Sequence, residues 1–121
     1  MDCEKRRYPR ARYDCEILYP FIIKDGQSHC YNQGLYHLHT LDISEAGICL
    51  QSNFLISQED FVSFYLRIGN NLPFKALVKV RWNRISNASY VCGGEFIALS
   101  LSDIYIIRQY MQSQDILTAQ K

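Results

Sequence analysis

Two short stretches of this sequence combine residue types that recognise a charged ligand. The first is the basic run Lys5-Arg6-Arg7-Tyr8-Pro9-Arg10, in which Arg6 and Arg10 stand four positions apart. The second, about thirty residues on, is Asp42-Ile43-Ser44-Glu45-Ala46-Gly47, an Asp-x-Ser-x-x-Gly pattern. Guanidinium groups fork onto phosphate oxygens and stack on purine rings. A carboxylate accepts hydrogen bonds and donates none, so Asp42 suits the edge of guanine, which offers N–H donors side by side. Ser44 can bond a phosphate or its own loop's backbone. Gly47 permits a positive φ or a close approach of ligand to main chain. Together the two segments specify a guanine nucleotide with more than one phosphate charge.

Other chemistries find less support. His37 and His39 share a strand face, with His29 and Cys30 nearby in sequence, but no familiar zinc spacing surrounds them, so no metal site is expected. Glu59 and Asp60 are adjacent and point apart on a strand, a poor acid–base pair. There is no Gly-x-Ser-x-Gly, and no Cys–His pair is marked as catalytic. An enzyme is the least supported class.

The elements that must hold these residues read mainly as β. Residues 1–12 form a flexible basic arm, because Pro9 opposes helix at Tyr8. Arg12 to Ile23 reads as one strand, with Tyr13, Ile17, Tyr19, Phe21 and Ile23 of one parity, ended by an Asp25-Gly26 turn. Further strands are expected from about Gly34 to Leu41, over Ile48–Leu50, and from Phe61 to Ile68. The cleanest period-two segment sets Phe74, Ala76, Val78, Val80 and Trp82 against Lys75, Leu77, Lys79 and Arg81. This alternation assigns Phe74, Val80 and Trp82 to the core. Asn83 to Ser89 is turn-like, and Tyr90 to Leu99 is another strand. Only the end looks helical, with an N-cap at Ser102 and a Leu101–Ile106 staple. Ile104, Ile107, Tyr110 and Met111 would cover the core, and 115–121 is a polar tail.

These elements fit within one domain over residues 13–114, since the 121-residue chain is about the length one hydrophobic core organises. Thirteen Lys and Arg against twelve Asp and Glu remove the usual driving force for non-specific nucleic-acid binding. Neither a spanning segment nor an apolar signal core is visible, so no membrane insertion and a cytoplasmic location are expected. The five scattered cysteines read as free thiols, with Cys15, Cys49 and Cys92 as small core residues.

Arg-x-x-x-Arg at Arg6 and Arg10, followed by Asp42, Ser44 and Gly47, resembles the two-part signature of the PilZ domain. Trp82 at the end of a strand and Gly93-Gly94-Glu95-Phe96 late in the chain strengthen the likeness. The resemblance implies a six-stranded antiparallel barrel with a C-terminal α-helix and a bacterial receptor for cyclic di-GMP. It implies that Arg6 and Arg10 clasp the ligand and that Asp42, Ser44 and Gly47 meet its other side. Arg7 and Gly93 are further candidates. Lys5, the basic residue before the first motif arginine, favours a stacked pair of ligands over one. Gly93 to Phe96 also echoes the diguanylate cyclase signature, but that catalytic domain's helices and metal-binding acids have no counterpart here. A stand-alone domain of this kind acts through a downstream effector protein and needs no cofactor. Two alternatives remain open: a protein-interaction module of the same fold that binds no nucleotide, and a small nucleic-acid-binding barrel.

Overall fold

The computed structural model describes residues 9–31 and 35–119. In chain order the strands are β1 (Ala11–Arg12), β2 (Phe21–Lys24), β3 (Gln27–Cys30), β4 (Leu38–Ile43), β5 (Gly47–Ser52), β6 (Phe61–Leu66), β7 (Phe74–Ser86) and β8 (Ser89–Phe96). A single helix, α1 (Leu101–Ala119), follows them. The strands form one antiparallel sheet in the order β1-β4-β5-β8-β7-β6-β2-β3. The fold is therefore mainly β with one C-terminal helix, as expected. The two-residue β1 and the hairpin strand β3 are additions to the strands read from sequence.

The sheet wraps one core. Ile22, Ile43, Ile48, Leu50, Val62, Leu66, Val78 and Val80 meet there, and α1 closes it with Ile107 and Met111. Fully burying a side chain such as Ile107 contributes roughly 1.5–3 kcal/mol. The Asp25-Gly26 turn forms as expected, both residues having positive φ, the combination that matches strand twist in a tight hairpin.

Several local expectations are corrected. Arg12 to Ile23 is not one strand. Past β1 the regular pairing stops, the chain stays tied to β4 through a bridge between Glu16 and His39 and the Thr40 hydroxyl, and it turns at Tyr19-Pro20. Proline lacks an N–H for the ladder, and Tyr19 has a φ of 53° that no strand accommodates. Ile17 and Ile22, which differ in parity, are accordingly buried, together with Pro20 at the turn. At the other end β7 runs on to Ser86, so the turn shrinks to Asn87-Ala88. The helix cap is Ser100 rather than Ser102: the Ser100 hydroxyl accepts the Asp103 N–H at 3.1 Å. Leu101 then starts the helix in solvent, so the expected staple to Ile106 does not form.

Candidate functional site

Two β-bulges build the site. On β4, Thr40 pairs with Leu50 but Asp42 pairs with Cys49, so Leu41 is an extra residue. On β7, Val80 pairs with Gly94 but Trp82 pairs with Gly93, so Arg81 is extra. An extra residue reverses which parity faces the core. Both reversals occur at the same level of the sheet. One cross-strand row, Ala11, Ile43, Ile48, Gly94 and Val80, faces the core. The neighbouring row, Arg12, Asp42, Cys49, Gly93 and Trp82, faces outward.

This outer row corrects the assignment of Trp82 to the core. The bulge at Arg81 turns the indole out, where it lies over Gly93 with the Arg84 guanidinium 5.1 Å from its ring centre. A Cβ on Gly93 would stand 2.3 Å from the indole, so only glycine allows the ring to lie there. Phe74 and Val80 are buried as expected. Cys49 is buried in the outward row, whereas Cys92 belongs to the core. Burial pushes the Cys92 thiol up to about 12, with Cys49 and Asp60 adding to the effect. Cys15 is only half-buried, and its thiol too is raised by desolvation.

The Asp-x-Ser-x-x-Gly segment spans the end of β4, its tight turn and the start of β5. Asp42 Oδ1 accepts a hydrogen bond from Arg10 Nη1 at 2.9 Å, so members of both motifs meet. Arg10 Nε is buried with no partner among the described residues. An unsatisfied buried donor costs roughly 1–3 kcal/mol, which a ligand acceptor would relieve. Ser44 faces its own turn: its hydroxyl accepts the N–H groups of Ala46 and Gly47, each at 3.2 Å. Gly47 does not have a positive φ. It is instead a close-approach glycine, because a Cβ there would meet the Gly94 carbonyl oxygen at 2.3 Å. Glu45, in the same turn, accepts two hydrogen bonds from Arg108 of α1, which hold its carboxyl below the usual range. Lys5, Arg6 and Arg7 lie outside the described residues.

Arg10, Gly47, Arg81, Trp82, Gly93 and Glu95 line a shallow hollow of about 160 Å³ at this face. Arg81 is ion-paired with Glu95. Arg10, Arg12, Arg81 and Arg84 stand on or beside the face, against the carboxylates of Asp42 and Glu95. The face carries an excess of positive charge in a chain whose total is near neutral. Arg12 and Arg84 were not singled out in the sequence. The place of Arg12 two residues past Arg10 was a usable signal, whereas Arg84 sits beyond a bulge that no pattern announces.

Elsewhere the histidines stand apart from this face. His39 Nε2 lies 3.0 Å from Gln51 Oε1, and no group of three or more His, Cys, Asp or Glu among the described residues could hold a metal ion. Asp60 is buried with its carboxylate on Lys24 and the Ser57 N–H, while Glu59 pairs with Lys79. Among the described residues no helix is long and apolar enough to cross a membrane.

Fold and face together define a small antiparallel β domain that presents a basic, aromatic-bearing face. The family is settled by the sequence: residues 4–113 match the PilZ domain, and the chain belongs to the PilZ family, receptor domains rather than enzymes. No curated protein sequence matches it. Among solved structures it is similar to the Bacillus subtilis inhibitor of motility, MotI/DgrA, with a TM-score of 0.69 and 13% identity. The match covers 93% of this chain and 51% of that one, so the chain spans about half the length of that structure.

Proposed function

We propose that this chain is a cyclic di-GMP receptor in the cytosol that acts by ligand-dependent contact with a downstream protein. The observation that carries the reading is the Arg10–Asp42 pair at the edge of the outward row. One residue from each half of the signature is brought to a single point, and only one oxygen and one nitrogen are used between them. Asp42 Oδ2 and Arg10 Nε have no partner among the described residues, an acceptor for a guanine edge beside a donor for a phosphate or base oxygen. Trp82 offers an aromatic surface next to them, and the arginines of the face supply the charge that a doubly anionic ligand needs. Arg6 is assigned the other side of the clasp on the strength of the motif. Lys5 favours two stacked ligands, and Arg7 is assigned a phosphate, both on the strength of the motif. Gly93 contributes by keeping the indole flat, and Ser44 and Gly47 by holding the turn that carries Asp42. In this mechanism the basic arm folds over the ligand and displays a new surface to the effector.

Charge-assisted hydrogen bonds contribute roughly 1.5–3 kcal/mol each. Four or five of them exceed the ~8 kcal/mol of micromolar affinity, and ordering the arm takes part of that back. The test is calorimetric titration with cyclic di-GMP, with GTP and cyclic GMP as controls, alongside the emission of Trp82, the only tryptophan. Selective binding that alters Trp82 emission and is lost in Arg10→Ala and Asp42→Ala is expected. No heat and no spectral change from well-folded protein would sink the receptor reading and leave the partner-binding module.

A further inference from the structure

A second surface lies away from the bulged face, on the outer side of β2, β6 and the start of β7. Leu18, Tyr19, Phe21 and Tyr65 are 51%, 55%, 45% and 65% exposed. With Lys75 they line a hollow of about 350 Å³. A second hollow of about 270 Å³ shares Leu18 and Tyr65 with it and is bordered by Arg67, Glu16 and Pro73. The two form a continuous apolar groove. A small domain does not ordinarily leave so many large apolar side chains side by side in water. The backbone is also committed here. Tyr19 has a φ of 53° directly before Pro20, although a bulky residue avoids the left-handed region and a residue before proline favours extended backbone. Strain of this kind is retained where the surroundings over-determine it, often at a ligand clamp.

The charges at the groove choose its occupant. Lys75 and Arg67 form no ion pair among the described residues, and Glu16 is the one carboxylate in the two linings. A second copy of the chain would set these cations against each other. The chain's own basic arm would meet the same repulsion. We propose that the groove docks an acidic segment of another protein, with apolar side chains seated in the two hollows and carboxylates on Lys75 and Arg67. Tyr13 ties this surface to the first motif: three residues after Arg10, its hydroxyl donates to the Arg67 carbonyl and accepts the Gly69 N–H at 3.1 Å.

The experiment is selection of random linear peptides displayed on phage against the full, ligand-free chain. Enriched peptides are then measured by fluorescence anisotropy. The expected result is a set rich in Asp, Glu and aromatic or aliphatic residues. Affinity is expected to fall at least about tenfold in Leu18→Glu and, separately, in Lys75→Glu, with both variants melting like wild type. Both substitutions are exposed, and they probe the apolar and the charged halves independently. Peptides without acidic bias, equal binding to either folded variant, no enrichment, or self-association broken by Leu18→Glu would each overturn the proposal. Cyclic di-GMP plays no part in the assay, so its outcome is separable from that of the receptor reading.

Discussion

Replacing Gly47 with alanine separates two roles that a motif glycine can have. A Cβ on Gly47 falls 2.3 Å from the Gly94 carbonyl oxygen, about 1 Å short of ordinary contact. That oxygen belongs to backbone, and it lies where Gly47 pairs with Glu95 and Ile48 with Gly94. No side-chain rotation relieves the overlap, so β5 and β8 must part locally and weaken the ladder hydrogen bonds beside it. Overpacking of this kind costs about 1–3 kcal/mol, and the strained ladder puts Gly47→Ala at the upper end. For a domain of this size ~3 kcal/mol lowers the melting temperature by roughly 10 °C. Scanning calorimetry reads this directly. Gly26→Ala is the control: it meets open space and bears only the cost of a φ of +78°, about 1–2 kcal/mol. A Gly47→Ala protein that melts with the wild type yet loses cyclic di-GMP would refute the argument. Gly47 would then serve the ligand directly and not the strand pairing.

Ser44→Ala removes the acceptor of two turn N–H groups and should cost about 1–2 kcal/mol in urea unfolding, while reducing ligand affinity less than Asp42→Ala. An affinity loss equal to that of Asp42→Ala would instead put the hydroxyl on the ligand. Glu45→Gln probes the tie between motif turn and helix. The folded carboxyl is held below its unfolded value, so its stabilisation is present above the usual carboxylate range and is lost as pH falls through the folded value. The wild type should exceed the variant by under about 1 kcal/mol at neutral pH, and the gap should close in acid. A gap that persists there would contradict the assignment. With its thiol pushed up to about 12, Cys92 should resist a disulfide reagent until the chain unfolds, whereas exposed Cys30 reacts at once. Peptide mapping that found Cys92 modified in the native protein would show that its strand opens freely.

Much of the fold was legible because its signals are local. The alternation from Phe74 to Val80, the Asp25-Gly26 turn and the Ile107/Met111 face of the helix each depend on a few neighbouring residues. The motif spacing likewise identified Arg10 and Asp42, which the folded chain brings within 2.9 Å. What the sequence hid is non-local. Trp82 continues an unbroken alternation on paper, and only its pairing with Gly93 reveals that Arg81 is an extra residue. The choice of Ser100 over Ser102 as cap depends on how Leu99 packs against the core. The purpose of Gly47 lies in a strand about fifty residues away.

The two bulges also bear on how such a face tolerates a change in chain length. Each holds one residue beyond regular pairing: delete Leu41 and Asp42 follows Thr40 directly, still opposite Cys49 and still facing outward, while the local bend is lost. Delete Arg81 and the indole likewise stays opposite Gly93, on the outer face. Insertions and deletions inside strands are usually read as damage to a domain. Here a single in-frame codon can be removed at either position without reversing which side chains face outward, so length variation at these points alters the bend that shapes the face and not its residues.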